Sequence, residues 1–156
     1  MRVVIIGNSA TAVGAVESIR EHDQTAQVVV VSEEPHGIYS RPLLDHYLAG
    51  EIDKTRLSYR PSDFYLRHSV QPVLDTRVVG ISPREHTIAA EGDSLPYDKL
   101  VIATGGTPIV PPLEGLDVEG VYTFTRLDDA LGITSYIEEH HVPSAVVVGG
   151  GMIGIK

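Results

Sequence analysis

The sequence predicts an α/β fold: a Rossmann-like parallel sheet with helices on both faces and a small antiparallel β segment. The first indication is the order of apolar patterns between Val3 and Val31. A β-branched run, a segment of helical periodicity and an all-valine run follow one another there, which is typical of a right-handed βαβ unit. The second indication is that a strand ending in glycine occurs twice, over residues 3–14 and 146–154, as expected of two nucleotide-binding units.

Apolar spacing places the individual elements. Residues 3–6 form a β-branched run ended by Gly7, as expected of a buried parallel strand. Residues 11–22 place apolar side chains on one helical face, and residues 28–31 repeat the buried-strand pattern. The later expected elements are short helices over 41–50 and 61–68, a β segment with a turn over 71–90, a strand over 100–103, a helix over 127–139 and a last strand over 145–148.

Composition argues against several classes of function. The chain has 156 residues, a formal net charge of −9 and no cysteine. The negative charge disfavours a nucleic-acid partner, and the missing cysteine removes disulfides, thiolate metal sites and cysteine nucleophiles. The seven histidines form no metal-ligand pattern, so no metal site is expected. The opening apolar run is too short for a signal peptide or a membrane span, so we expect a cytoplasmic protein without a membrane partner.

A glycine turn follows the first strand, with the sequence Gly7-Asn8-Ser9-Ala10-Thr11-Ala12. In the dinucleotide fingerprint G-x-G-x-x-G/A, the first glycine makes the tight turn and the second lets backbone approach a pyrophosphate. The third position is small so that helix and strand can pack. Gly7 and Ala12 suit the first and third roles, whereas Ser9 departs from the second. The following helix, with Ala10 in its first turn, offers free N–H groups to an anion. A plain strand-to-helix turn is the alternative.

An acidic residue is expected about 20 residues beyond such a turn, where its carboxylate accepts hydrogen bonds from a ribose. Glu33 and Glu34 follow the second strand, and Glu33 is the predicted ribose ligand. An ordinary surface acid after a strand is the alternative explanation.

Four motifs occur in order along the chain. They are residues 4–12 followed by Glu33, then Tyr39-Ser40-Arg41-Pro42-Leu43-Leu44, then Tyr97-Asp98-Lys99-Leu100-Val101-Ile102-Ala103-Thr104-Gly105, and finally Val146-Val147-Val148-Gly149-Gly150-Gly151-Met152-Ile153-Gly154. Together they span nearly the whole chain and resemble the pyridine nucleotide–disulfide oxidoreductase superfamily. In that superfamily the third motif is an FAD signature, and the fourth opens an NAD domain.

The resemblance implies an FAD site assembled from several segments. The glycine turn would approach the pyrophosphate, and Glu33 would bind a ribose. Val78 would present its backbone to the adenine. No catalytic side chain is implied, because the cofactors carry the redox chemistry. The implied contacts are, for FAD, Gly7, Ser9, Ala10, Ala12, Glu33, Ser40, Arg41, Val78, Thr104 and Gly105 and, for NAD(P)H, Gly149, Gly151 and Gly154.

The absence of cysteine also indicates which branch of this superfamily the chain resembles. Its disulfide reductases carry a cysteine pair in the helix after the second strand, and its peroxide- and oxygen-reducing members carry a single cysteine nearby. Residues 40–45 of this chain contain none. The chain therefore resembles the rubredoxin and ferredoxin reductases and the flavin domains of nitrite reductases. The resemblance implies that electrons pass from NAD(P)H through FAD to an acceptor, such as a small electron-carrier protein or a nitrite-reductase-type centre. It is compatible with a homodimer and leaves the choice between NADH and NADPH open.

The predicted domains are an FAD-binding domain over 1–110, a connector and helix over 111–144, and the start of an NAD(P)-binding domain over 145–156. Because the resemblance implies later segments for both cofactor sites, we expect these residues alone to bind FAD weakly and not to oxidise NADH. Two alternatives stay open: a non-catalytic nucleotide-binding module, and an NAD-dependent dehydrogenase that uses the first glycine turn. A basic and aromatic stretch over 54–67 could steer an acidic carrier protein, or form a solvated helix face.

Overall fold

The computed structural model describes residues 1–151 and 154. Contacts divide the chain into two compact units. The first contains Met1–Ser40 and Ser58–Gly106, and the second contains Arg41–Leu57 and Thr107–Lys156. The domains predicted over 1–110, 111–144 and 145–156 rest on motifs and composition in the sequence, and they stay predictions.

All the strands lie in the first unit, as far as the described residues show. They are β1 (Arg2–Ile6), β2 (Gln27–Val31), β3 (Val70–Val73), β4 (Val78–Ser82), β5 (Thr87–Ala90), β6 (Asp93–Pro96) and β7 (Lys99–Ile102). The helices are α1 (Ala10–His22), α2 (Leu44–Leu48), α3 (Phe64–Arg67) and α4 (Leu127–His140), with 3₁₀ turns at Arg41–Leu43 and Lys54–Leu57. Strands β3-β2-β1-β7 form a parallel sheet in that spatial order, and β4-β5-β6 form an antiparallel sheet.

The parallel sheet is built around β1 and β2, which are almost wholly apolar and buried. They pair in register, with Val3 opposite Val28 and Ile6 opposite Val31. Such continuous apolar runs suit strands that are covered on both faces. On one face, α1 packs through residues such as Val13 and Val16, together with Phe64 of α3. On the other face, the antiparallel sheet packs through Ile88.

The α/β class is therefore confirmed, with a parallel sheet, helices and a small antiparallel sheet. In the described part of the first unit, helices pack on one face of the parallel sheet, and the antiparallel sheet packs on the opposite face. One detail of the predicted elements differs. Val70–Val73 pairs in parallel with β2, so the antiparallel sheet begins at Val78 and extends to Pro96. Apolar alternation alone does not identify the partner of a strand, so this pairing was not predictable.

The two edges of the parallel sheet differ in character. Edge strand β3 contains Pro72, which has no N–H to donate and is tolerated at an edge. The carbonyl of Val73 accepts from the N–H of Ser32, so Val73 faces β2 and the neighbouring Pro72 faces outward. The other edge strand, β7, ends at Ile102, whose exposed fraction is 63%.

Arg20 is a buried charge at the end of α1, with an exposed fraction of 7%. Its guanidinium donates to three backbone carbonyls: those of His68 (2.6 Å), Asp23 (3.0 Å) and Ser69 (3.1 Å). The Asp23 carbonyl lies just beyond α1, whereas His68 and Ser69 lie in the turn between α3 and β3. Arg20 therefore joins the end of one helix to the turn that leads into an edge strand.

The basic residues of the 54–67 stretch that lie in the first unit are paired with carboxylates. Arg60 donates to both carboxylate oxygens of Glu17 on α1, at 2.8 and 3.2 Å, and Arg67 pairs with Asp63 at 2.7 Å. The hydrogen bond from Arg60 lowers the pKa of Glu17 below its ordinary value of 4.5. The pair thus links α1 to the segment that precedes α3.

This pair makes the stability of the first unit depend on pH. A carboxylate whose pKa is lower in the folded state stabilises the fold above its unfolded-state pKa, and this contribution is lost as pH falls through the folded-state value. We expect Glu17→Gln to lower the free energy of unfolding slightly at neutral pH, since both side chains are 35% exposed. The difference between the variant and wild type should begin to shrink near pH 4.5 and should vanish once the pH is below the lowered pKa of folded Glu17. Urea unfolding at several pH values measures this, with Glu21→Gln on the same helix as the control. If the free energies of unfolding of Glu17→Gln and wild type differed as much in acid as at neutral pH, this prediction would be contradicted.

In the described part of the second unit, all the regular secondary structure is helical. Helix α2 contacts α4, and the buried residues are Leu44, Leu57, Leu127 and Ala130. The Asp129 carboxylate accepts from the N–H groups of Thr125 and Arg126, at 2.7 and 2.9 Å, which caps the start of α4. The helix predicted over 127–139 is confirmed. The helix predicted over 41–50 is divided into a 3₁₀ turn and α2.

The strand predicted over 145–148 is wrong in this structure. Residues 142–150 have no regular secondary structure, and Val146 and Val148 are 90% and 81% exposed. A strand needs a hydrogen-bonded neighbour, and none of the described strands pairs with this segment. Of the helices in the described part of the chain, none has both the length and the apolar character that a bilayer crossing requires.

Candidate functional site in the first unit

The turn at residues 7–9 joins β1 to α1 and is the centre of the site. Gly7 has a φ of +111°, in the region that favours glycine, and its N–H donates to the Val31 carbonyl at 2.8 Å. A Cβ on Gly7 would lie 2.1 Å from the carbonyl oxygen of Ala103 and 3.1 Å from the nitrogen of Thr104. Glycine is therefore required here both by the backbone conformation and by the close approach of the segment after β7.

The position of this contact matches a rule for open α/β sheets. The chain leaves β1 and returns to β2 on one side, whereas β7 lies on the other side of β1. The carboxyl ends of β1 and β7 thus border the point where the strand order reverses, and ligands of such sheets bind in that crevice. Thr104 and Gly105 follow Ala103, which is the first residue after β7. Both are exposed, and Gly105 has a φ of +72°.

The first turn of α1 has the properties of an anion-binding helix terminus. Ser9 is the N-cap residue, and its side chain makes no capping hydrogen bond. The first turn holds no acidic residue, and Ala10 is exposed, whereas Ala12 is buried with an exposed fraction of 1%. The N–H groups of this turn and the positive end of the helix dipole are thus available to an anion. The small Ala12 side chain lets α1 pack closely on the sheet.

The two acids after β2 have different environments. Glu33 is exposed, and its carboxylate lies 3.8 Å from Nε of Arg77. Glu34 is buried with an exposed fraction of 8%, and it accepts a 2.6 Å hydrogen bond from the hydroxyl of Tyr39. Of the two, Glu33 is the carboxylate that a ligand can reach. Ser40, half-buried, ends the segment that follows these acids.

Asn8 has a role that the sequence analysis missed. Its side-chain amide donates to the carbonyl of His36 at 3.2 Å and accepts from the hydroxyl of Tyr65 at 2.9 Å. Burial raises the pKa of Tyr65, and the hydrogen bond to Asn8 partly offsets this effect. Asn8 occupies a variable position of the glycine fingerprint, so the only signal was a polar side chain within the turn. The residue ties the 7–9 turn to the segment after β2 and to α3.

Val78 is the first residue of β4 and follows Arg77, whose Nε lies 3.8 Å from the carboxylate of Glu33. It is half-buried, pairs with Ala90 and packs against the apolar cluster under the antiparallel sheet. The strand pairing shifts register between Val78 and Gly80.

The remaining predicted contacts lie in the second unit. The guanidinium of Arg41 donates to the Thr125 carbonyl at 2.7 Å. Gly149 has a φ of +133°, and a Cβ on Gly154 would lie 2.2 Å from the Gly149 carbonyl oxygen. This close approach suits the packing role of the last glycine in the fingerprint. Gly151 is exposed, and Met152 and Ile153 of the same motif lie outside the described residues.

Two curated proteins are similar to this chain over nearly its whole length. It is 29% identical to the NADH oxidase of Methanocaldococcus jannaschii, matching 100% of this chain and 36% of that protein. It is also 29% identical to the rubredoxin-NAD(+) reductase of Pseudomonas putida, matching 100% of this chain and 40% of that protein. The chain thus spans well under half the length of these relatives.

A solved structure and the sequence pattern of a protein family also match this chain. The structure of an NAD-dependent persulfide reductase from A. fulgidus superposes with a TM-score of 0.86 at 32% identity, covering 99% of this chain and 30% of that one. The sequence pattern of the pyridine nucleotide-disulphide oxidoreductase family matches residues 1–156. The chain belongs to the pyridine nucleotide-disulphide oxidoreductase family.

Proposed function

We propose that this chain is the FAD-binding portion of an NAD(P)H-dependent flavoprotein oxidoreductase, which passes electrons from NAD(P)H through FAD to an acceptor. The observation that carries the proposal is the concave backbone arrangement at Gly7, which we call the cradle. A glycine with positive φ presses against the segment after β7, at the reversal of strand order, next to an open helix terminus. Such a cradle suits a dinucleotide diphosphate, because bare backbone can approach the phosphates closely.

Several residues of the first unit support the proposal that the ligand is FAD. The N–H groups of the turn containing Ser9, Ala10 and Ala12 would bind the diphosphate, and the exposed carboxylate of Glu33 would accept from a ribose hydroxyl. Thr104 and Gly105 would lie over the cofactor. Ser40, Arg41 and Val78 are proposed as further contacts, on the family resemblance alone. When bound, FAD supplies the redox chemistry, and the protein binds, orients and shields it.

The second glycine motif is proposed to begin the NAD(P)H site. Gly149, Gly151 and Gly154 follow an apolar run, and the close approach of Gly154 to the Gly149 carbonyl supports a fingerprint turn. On this proposal, residues 1–110 serve FAD, 111–144 connect, and 145–156 open the nicotinamide-binding domain. The proposed acceptor is a small electron-carrier protein or a nitrite-reductase-type centre. The similarity to a rubredoxin-NAD(+) reductase supports the carrier.

The proposal predicts the effect of placing a negative charge at the helix terminus. Ala10→Asp adds a carboxylate to the first turn of α1, where it should preserve or raise stability through the helix dipole while repelling a diphosphate. We expect the affinity for FAD to fall about tenfold or more. Titration of the purified chain with FAD, followed by flavin fluorescence, measures the dissociation constant.

Ala10→Asn is the matched control, since it has nearly the same shape without the charge, and its affinity should stay within about twofold of wild type. Equal affinities of the Asp and Asn variants would place the diphosphate elsewhere. A wild-type chain that binds ADP but has no preference for FAD would instead indicate a nucleotide-binding module without flavin.

A further inference from the structure

We propose that Asn8 and Tyr65 form a positioning clamp, which holds the 7–9 turn in the conformation that receives the diphosphate of a dinucleotide. This inference rests on the proposed function of the turn. It assigns a role to two side chains that lie outside the glycine fingerprint.

The first argument is the position of Asn8 between the two residues that shape the turn. Gly7 provides the positive φ, and Ser9 provides the N-cap without a side-chain hydrogen bond. Among the described residues, the side chain of Asn8 is thus the one in this turn that makes hydrogen bonds to segments distant in the sequence. Rotation of the Asn8 backbone would break these bonds and would also redirect the N–H groups that face an anion.

The second argument is the nature of the two anchors. The His36 carbonyl belongs to the segment after β2, which also carries Glu33 and the pair formed by Glu34 and Tyr39. Tyr65 belongs to α3, where its ring packs edge-on against the buried Phe64. One end of the clamp is therefore fixed to the core, and the other is fixed to the proposed ribose-binding segment. The amide of Asn8 couples the two parts of the proposed crevice.

The chain offers a matched control in Tyr59, which precedes Tyr65 on the same side of the first unit. Tyr59 also packs against the apolar cluster under α1, but its hydroxyl is buried and makes no hydrogen bond within the described residues. Tyr59→Phe therefore removes a hydroxyl without breaking a bond. Tyr65→Phe removes the same group and breaks the bond to Asn8.

The test compares these two variants with wild type in two measurements. Amide hydrogen exchange of the ligand-free chain should be faster in Tyr65→Phe at Gly7 and Val13, whose N–H groups donate to the carbonyls of Val31 and Ser9, and unchanged in Tyr59→Phe. The dissociation constants for FAD and ADP should rise about two- to tenfold in Tyr65→Phe only. Asn8→Ala should weaken both ligands at least as much, and adding Tyr65→Phe to it should cause little further loss.

The ratio of ADP affinity to AMP affinity separates positioning from simple destabilisation. Loss of a clamp that shapes the diphosphate turn lowers this ratio, whereas partial unfolding weakens both ligands equally. Equal exchange at Gly7 and Val13 in the two tyrosine variants, or an unchanged ratio in Tyr65→Phe, would overturn the clamp. If the wild-type chain bound neither FAD nor ADP, the proposed function would fail. The exchange measurement would still decide whether Tyr65 orders the turn.

Discussion

Gly7→Ala is expected to lower the free energy of unfolding by at least about 3 kcal/mol and to abolish FAD binding. The added methyl group would meet the Ala103 carbonyl oxygen at 2.1 Å, and both partners of this clash are backbone or bonded to it. The φ of +111° adds conformational strain for any side chain. Relief would require the end of β1 and the segment after β7 to move apart, although the Ala103 N–H donates to the Ile6 carbonyl at 2.7 Å next to the pairing of β1 with β7. Urea denaturation followed by circular dichroism measures the loss.

Gly14→Ala is the matched control for this substitution. Gly14 lies inside α1 and is exposed, and apart from its neighbours and the nearby backbone of α1, no atom lies within 4 Å of the position that a Cβ would take. The same change should therefore stabilise the helix, by about 0.5–1 kcal/mol. If the two alanine variants unfolded at the same urea concentration, the requirement for glycine at position 7 would be disproved.

Arg20→Met should produce the second large loss, about 3 kcal/mol in the free energy of unfolding. Methionine can fill much of the same volume but leaves the carbonyls of His68, Asp23 and Ser69 without their common donor. Hydrogen bonds to a charged group contribute more than neutral ones, and the polar groups left behind are expensive to bury. Arg20→Lys should recover only part of the loss, because an ammonium group does not have the fork of a guanidinium.

Arg67→Met provides the comparison, since the Arg67 side chain is 63% exposed and pairs with Asp63 within one helical turn. The free energy of unfolding of Arg67→Met should stay within about 0.5 kcal/mol of the wild-type value. Hydrogen exchange should also show which region loosens in Arg20→Met: we expect faster exchange at residues 68–71 and at the end of α1. Loosening confined to other parts of the chain would contradict the assignment of Arg20 to this junction.

Local patterns in the sequence were sufficient for the order of β1, α1 and β2. Each of these elements carries its own apolar period, and Gly7 marks the turn between the first two. The partner of β3 was not predictable, because a short strand has the same alternation whether its neighbour is parallel or antiparallel. The segment at 145–148 shows the converse problem, since an apolar run favours a strand but does not supply the neighbour that a strand requires.

In the candidate site too, features set by neighbouring residues were predictable, whereas contacts between residues far apart in the sequence were not. The roles of Gly7 and Ala12 follow from a fingerprint of six residues, whereas the approach of Ala103 to Gly7 depends on the pairing of β1 with β7. The bond between Tyr65 and Asn8 joins residues 57 positions apart. Arg20 reaches carbonyls 48 and 49 positions away, and nothing near it in the sequence indicates that it is buried.

The two margins of the parallel sheet have unequal capacity for lateral growth. An incoming strand beside β3 would face Pro72, where no donor is available, so the ladder would be interrupted at that step. The outer side of β7 has no proline and ends in a largely exposed isoleucine. The sheet is thus chemically one-sided: its proline margin discourages unintended association between copies, and extension by a further strand is favoured only at the opposite margin.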